Sequence, residues 1–518
     1  MTSTYSHILG HCITITDENN TRHCYLAEFD EVPNQTHPVA TRSTEEVLLD
    51  FGCLSTLKKG FISLSSDYGL HAAALKMTFN VAVDPNHTID RLIRRTLQEL
   101  PELHSAMIKD EFSKTIKFAR NAKHCLSKKA LRREPAELFP SLNDYLSAKL
   151  LTPIQTWCET RFRSLTVVIE TIAKAKDVLL ELEKDDENPN QRHLASLPSF
   201  RFIMPLHDML QNAFKPVINF ADSQQFQQNG ELISVYESLL SWACIPTDTN
   251  NFAIELKKCL VSAIMEQILD GKYVWDNQEK SSLVKNRLLS NELVAMFGCP
   301  PRKKCRLEKI RFILKKGGFK KEAELVLDYV DAHDLKEKAI SQIKKYDLIL
   351  NSDRNDVSNR PSPRHSGTES SELSDEEPAP RAHSSSTSTR NSDSIESELK
   401  RYEKDSGEGS YENFKLIAKE LNWDFRKSAK GLILQNSHLM EYWKLKKAIF
   451  PRLANIMLFV LRTPCSSSPL ERFFSSINLQ TSSHASNRTV EYIEQINQIN
   501  PKNDQFITVM NNLFQKYK

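Results

Sequence analysis

The spacing of apolar positions changes character along this chain, and each change marks a different kind of structure. In the first hundred residues the apolar positions fall in short runs. "CITIT" (12–16) and "CYLAEF" (24–29) are rich in β-formers and flank the polar turn "DENNTR", which predicts paired strands, and "THPVAT" (36–41) is read as a third. "STEEVLLDFGCLSTLKK" (43–59) opens with Ser43 and Thr44 ahead of two Glu and carries apolar residues at 47, 48, 51 and 54, a helix with its start signal. "FISLS" (61–65) predicts a fourth strand and "FNVAV" (79–83) a fifth, each followed by a helical stretch, "LHAAALKM" and "TIDRLIRRTLQEL". Five strands interleaved with helices predict a mixed α/β sheet.

From about 102 to 350 the helical period dominates, broken at "DDENPNQ" (185–191), "PTDTNN" (246–251) and "GCPPRKK" (298–304). Within it "FILKKGGFKKEAE" (312–324) is locally basic; it reads as a solvated helix–turn–helix surface, with phosphate contact as the alternative. Residues 351 to about 410 are dense in Ser, Pro and charge, with few large apolar side chains, and are expected to be a disordered linker. Ser374, ahead of Asp375, Glu376 and Glu377, has the setting of an acid-directed phosphorylation site. Order is expected to return at "YENFKLIAKELN" (411–422). In the helices that follow, Tyr442, Trp443, Leu445, Ile449, Phe450, Leu453, Ile456, Met457, Val460 and Leu461 make a broad apolar face that needs a partner: the early sheet, a second copy of the chain, or both.

The totals add limits. A chain of 518 residues exceeds one ordinary core, and its low glycine content, 13 residues, suits a mostly helical protein. A net charge of +3 from 69 basic and 66 acidic side chains does not by itself announce a nucleic-acid binder, although local patches stay open. No apolar run of about 18 residues is present and the N-terminus lacks the pattern of a secretory signal, so an intracellular protein with no membrane partner is expected. The ten cysteines show no framework spacing and read as free thiols; Cys299 and Cys305, the nearest to a metal pair, read as loop cysteines.

The most specific stretch is "YWKLKKAIFPRLANIMLFVLRTPCSSSPLERFFSSINL" (442–479). A Trp-bearing helix leads through Phe450 to Leu453, then through a small-residue loop, Pro464 to Ser468, to Glu471, Arg472, Phe473, Phe474 and Ser475. Over roughly 40 residues it resembles the C-terminal signature of hAT-type DNA transposases and the host proteins derived from them. The resemblance implies an RNase H-like mixed sheet interrupted by a large all-helical insertion. Mapped onto this chain, the first part of the core is 1–165, the insertion 166–350, the linker 351–410, and the C-terminal helices that complete the core, with the dimerisation region, 411–518.

The resemblance also implies site residues. Asp17 after "CITIT", Asp67 after "FISLS" and Glu471 match the family's three catalytic acids, which would hold Mg²⁺ or Mn²⁺, because phosphoryl transfer on DNA uses paired divalent cations on oxygen ligands. Each acid alone also suits a surface or capping role, Asp67 as a cap for "LHAAALKM". Where the family has a Cys-x-x-His, this chain has Asp84 and keeps His87; where it has an Arg-Trp pair against DNA, this chain has Arg161 and Phe162, whose ring can still stack on a base or simply pack between helices. Trp443, Phe450, Leu453, Phe473 and Phe474 are implied in dimerisation and core packing. The first strand, expected about a dozen residues from Met1, leaves no room for the family's zinc-finger module.

The resulting expectation is a self-associating, transposase-derived nuclear protein, associated with DNA or chromatin proteins as a transcription regulator and without transposition activity. The alternatives are an active metal-dependent transposase and a dimeric interaction scaffold that binds no nucleic acid.

Overall fold

The computed structural model describes residues 7–16, 22–32, 37–50, 64–66, 81–83, 85–126, 131–132, 134, 140–147, 163–185, 191–222, 231–246, 250–269, 290–298, 306–333, 335–358, 394–404 and 436–462. β1 (His7–Thr16) and β2 (Arg22–Val32) form an antiparallel hairpin running from His7 opposite Val32 to Thr16 opposite Arg22, with a bulge where the register shifts between His11 and Cys12. Both strands are longer than their apolar cores suggested, because ladder hydrogen bonding carries the polar flanks along.

α1 (His37–Asp50) follows directly. The segment 36–41, expected as a third strand, instead enters this helix: Pro38 sits in its first turn, where a missing N–H costs nothing and the fixed φ is already helical. Ser43 and Thr44, expected at the helix start, lie inside it, on a buried stripe with Val47 and Leu48. The hairpin is tied to the helix by a 2.7 Å hydrogen bond between His11 Nε2 and Ser43 Oγ.

β3 (Leu64–Ser66) and β4 (Val81–Val83) pair in parallel over three residues each. The described strands therefore form two separate two-stranded sheets, β1 with β2 and β3 with β4. This corrects the expectation of an RNase H-like mixed sheet: the five-stranded sheet is not formed among the described residues, one of its strands is helix, and the fold is predominantly helical.

The helices run on as α2 (Pro85–Arg94), a π-helical turn (Arg95–Glu99), α3 (Leu100–His104), α4 (Ala106–Leu126), α5 (Pro140–Ser147), α6 (Arg163–Lys174), α7 (Lys176–Glu183), α8 (Gln191–Leu194) and α9 (Phe200–Asp208). A second π-helical turn (Met209–Phe214) leads into α10 (Lys215–Asp222), α11 (Glu231–Ala243), α12 (Asn251–Ile268), α13 (Ser290–Phe297), α14 (Arg306–Lys316), α15 (Lys320–His333) and α16 (Leu335–Ser358). Last come α17 (Ile395–Lys404), α18 (Asn436–Lys446) and α19 (Pro451–Arg462). The boundaries expected at 165/166 and 350/351 fall inside α6 and α16.

Two polar devices hold this array where its backbone departs from regular helix. Arg95 forks onto Glu266 of α12, with Nε to Oε2 at 2.7 Å and Nη2 to Oε1 at 2.8 Å, and reaches Glu99 at 3.0 Å, so one guanidinium pins the first π turn to the central helix. In α9, Pro205 has no N–H to offer the carbonyl of Arg201; Asn250 Nδ2 donates to that oxygen at 2.9 Å instead. The other end of the same amide caps α12, Oδ1 accepting from Phe252 N at 3.0 Å.

α17 falls within the span 351–410 expected to be linker. Its reason for folding is short but legible: Ser394 Oγ accepts from Ser397 N at 3.3 Å, and Ile395, Leu399 and Tyr402 recur at helical spacing, all buried. Residues 359–393, which include Ser374, and 405–410 of that span lie outside the described residues, as does 411–422. A continuous hydrophobic cluster runs from Ile89 in α2 through the central helices to Leu461 in α19, so the C-terminal helices share one core with the helical block. Most of the apolar face from Tyr442 to Leu461 is buried here, with Leu445 and Ile449 left exposed: α19 packs against α13, α16, α17 and α18.

Candidate functional site

The C-terminal helices meet α13 and α17 through a cluster of rings. Trp443, fully buried on α18, lies 5.3 Å from both Tyr402 and Tyr442 between ring centroids; Tyr402 also touches Phe450 at 5.8 Å and Phe297 at 5.5 Å. Most of these pairs meet edge to face, the arrangement the ring quadrupole favours. Each buried polar tip has a partner. Trp443 Nε1 donates to the carbonyl of Gly298 at 2.8 Å, and Tyr402 Oη donates to that of Phe297 at 3.1 Å. Those oxygens belong to the end of α13, where a helix leaves its last carbonyls without intrahelical donors, so the two side chains complete a helix terminus that a polar loop would otherwise serve.

The start of α19 is completed in the opposite sense. Glu398, with no exposed surface, accepts from Leu453 N at 2.9 Å and from Arg452 N at 3.2 Å. A carboxylate at a helix N-terminus satisfies free amides and faces the positive end of the dipole. Burial pushes its carboxyl above the usual range, and the two amide hydrogen bonds pull against that shift. Arg452 pairs with the buried Asp347 of α16 at 3.0 Å, and Arg401 caps the corner by donating to the Ile449 carbonyl at 3.3 Å while lying over the Phe450 ring. Gly298 closes the packing: a Cβ there would fall inside the van der Waals surface of the buried Met457 Sδ.

Of the residues singled out from sequence, the structure brings together Trp443, Phe450 and Leu453, all buried in this junction. It places His87 elsewhere, half-buried in the first turn of α2, which packs against α10 and α12. Asp17, Asp67, Glu471, Arg161, Phe162, Phe473 and Phe474 lie outside the described residues. The residue before Asp17 ends β1 and the residue before Asp67 ends β3, and those strands belong to different two-stranded sheets. Among the described residues no group of three or more His, Cys, Asp or Glu is gathered to hold a metal.

Sequence reasoning missed Tyr402, Glu398 and Gly298. The apolar spacing of "SIESELKRYEK" signalled a helix, but the surrounding Ser-rich composition outweighed it. Of the ten cysteines, Cys125, Cys244 and Cys259 are described as free and buried, and burial pushes their thiols up to about 11, 11 and 12, which leaves them unreactive at neutral pH. Cys299 and Cys305 lie outside the described residues.

Residues 416–513 match the family model for the hAT family C-terminal dimerisation region. The matched stretch contains α18, α19 and their half of the ring junction. The match supports a relation to hAT transposases and self-association through this part of the chain. A search of curated proteins returns no match. Among the described residues no helix is long and apolar enough to cross a membrane.

Proposed function

We propose that this chain is a transposase-derived nuclear protein that self-associates through its C-terminal region and acts at DNA or chromatin as a regulator of transcription, with transposition lost. The observation that carries this reading is the match of 416–513 to the hAT dimerisation region, joined to the geometry around it. The motif residues Trp443, Phe450 and Leu453 are consumed by the chain's own core, whereas Leu445 and Ile449, at the corner between α18 and α19, are 55% and 48% exposed. Large apolar side chains left in water beside a rigid junction are suited to contact a second copy.

In this reading Asp17, Asp67 and Glu471 are acids kept from a cleaving ancestor, and Arg161, Phe162 and His87 are remnants of its DNA contacts. Light scattering after size exclusion should give a dimer or larger at micromolar concentration, and Leu445→Glu with Ile449→Glu should shift it toward monomer. A wild-type monomer would remove the self-association. Crosslinking should recover the protein on chromatin, and its absence there would favour a scaffold with no nucleic-acid role. DNA nicking that needs Mg²⁺ or Mn²⁺ and disappears in Asp17→Ala would overturn the loss of activity.

A further inference from the structure

The corner where α14 turns into α15 concentrates charge that the chain as a whole lacks. Between Arg306 and Lys321 the sequence places seven basic side chains against one acid, Glu308, in a protein whose net charge is only +3. Part of that charge is used internally: Glu324 takes Lys315 at 2.8 Å and Arg311 at 3.6 Å. Lys316, Lys320 and Lys321 are exposed and have no acidic partner among the described residues.

On the same helix as Lys316 stands Phe312, 67% exposed, on the outer face of α14. Lys315 and Lys316 are three and four positions further on and so are its neighbours on the helix surface. Leu307, Ile310 and Leu314 already fill the buried face of this helix, so Phe312 is surplus to the core.

The corner is also rigid. Phe319 N donates to the Leu314 carbonyl at 2.9 Å and Gly318 N to that of Lys315 at 3.2 Å, with Gly318 at φ +88°, the hydrogen-bond pattern of a Schellman turn. Phe319 packs onto the core, and Gly317 sits so close to Cys244 that a Cβ would come within 2.9 Å of the Cys244 backbone. The backbone that carries the exposed ring and the three lysines is thus fixed, and their long side chains are free to reach from it.

We propose that the α14–α15 corner binds single-stranded nucleic acid, with Lys316, Lys320 and Lys321 on the phosphates and an unpaired base stacked on Phe312. Charge selects a polyanion, and the flat exposed ring selects one whose bases are free to stack. The inference rests on the nucleic-acid part of the proposed function and gives it a surface.

The test uses the full chain and fluorescently labelled 20-nucleotide oligothymidylate or a mixed-sequence duplex, with anisotropy followed across salt. Wild type should prefer the single strand. Lys316→Gln, Lys320→Gln and Lys321→Gln together should weaken binding at least about tenfold and flatten the log–log salt slope by about 2. Phe312→Ala should weaken single-strand binding at least about fivefold and leave duplex binding unchanged. All four positions are exposed, and unchanged thermal melts would verify that the variants fold. If the variants bind like wild type, the corner falls while DNA association through another surface stands. If wild type binds neither oligonucleotide, the corner falls, and chromatin recovery through a protein partner is still decided by crosslinking. Equal binding of duplex with no effect of Phe312→Ala overturns the stacked base. Displacement of the oligonucleotide by polyglutamate at equal charge concentration overturns the nucleic-acid assignment in favour of an acidic protein.

Discussion

The carboxylate of Glu398 accepts the backbone N–H of Leu453 at 2.9 Å across 55 positions of sequence, joining α17 to the first turn of a helix in the matched dimerisation region. Glu398→Ala would leave two amides at the start of α19 without acceptors in a closed site. We expect a loss of about 2–4 kcal/mol in urea unfolding, with Glu398→Gln less damaging because its carbonyl keeps one hydrogen bond. A change below about 0.5 kcal/mol for the Ala variant would mean the cap is not needed.

Gly298 is required by its neighbour rather than by its backbone conformation. Gly298→Ala would drive a methyl into buried Met457 and pull the Gly298 carbonyl from Trp443 Nε1. The expected cost is about 1–3 kcal/mol. Combining it with Met457→Ala, which opens space, should cost less than the two single changes added together; strict additivity in a double-mutant cycle would argue against the clash.

Asn250 serves two helices at once, giving its N–H to the carbonyl stranded by Pro205 and its oxygen to the start of α12. Asn250→Ala should destabilise by about 1–2 kcal/mol, near the upper end for a lost N-cap. Asn250→Asp keeps the cap but loses the donor, so its melting temperature should lie between those of wild type and Ala. An Asp variant no better than Ala would locate the whole effect in the donation to the Arg201 carbonyl.

The rings of His124 and His193 stack with centroids 5.0 Å apart, linking α4 to α8. Burial, the adjacent Arg192 and His124 itself hold His193 below the usual imidazole value, and burial lowers His207 despite the nearby Glu170 and Asp208. When the folded state disfavours the proton, the unfolded chain binds more protons, so stability increases with pH in that range. The contribution is whole above about pH 6.5 and is lost as pH falls through the lowered folded values. Urea midpoints measured from pH 8 to 5.5 should therefore decline toward acid, and His193→Gln with His207→Gln should reduce that decline. An unchanged slope in the double variant would assign it to other groups.

The apolar spacing in α2, α19 and the long central helices made their helical state and buried faces readable, because a stripe at period 3.6 means burial whatever it packs against. The early strands were less legible. Local β-preference marked the hairpin, but it could not say which edges join, and Pro38 at the head of an apolar stretch favoured a helix start over a third strand. Asp17, Asp67 and Glu471 were candidates through motif resemblance alone, because local spacing cannot say whether acids on three separate elements converge.

What the chain determined by itself is therefore its helical character, the apolar face of the C-terminal helices and the basic run around Phe312, all set by side-chain type at local spacing. What only the tertiary structure decided is which groups complete which helix ends. Glu398 for α19, and Tyr402 with Trp443 for α13, are joined over 55, 105 and 145 positions. Such pairings come from satisfying buried amides and carbonyls in a closed core, and nothing in the local sequence announces which distant side chain will do it.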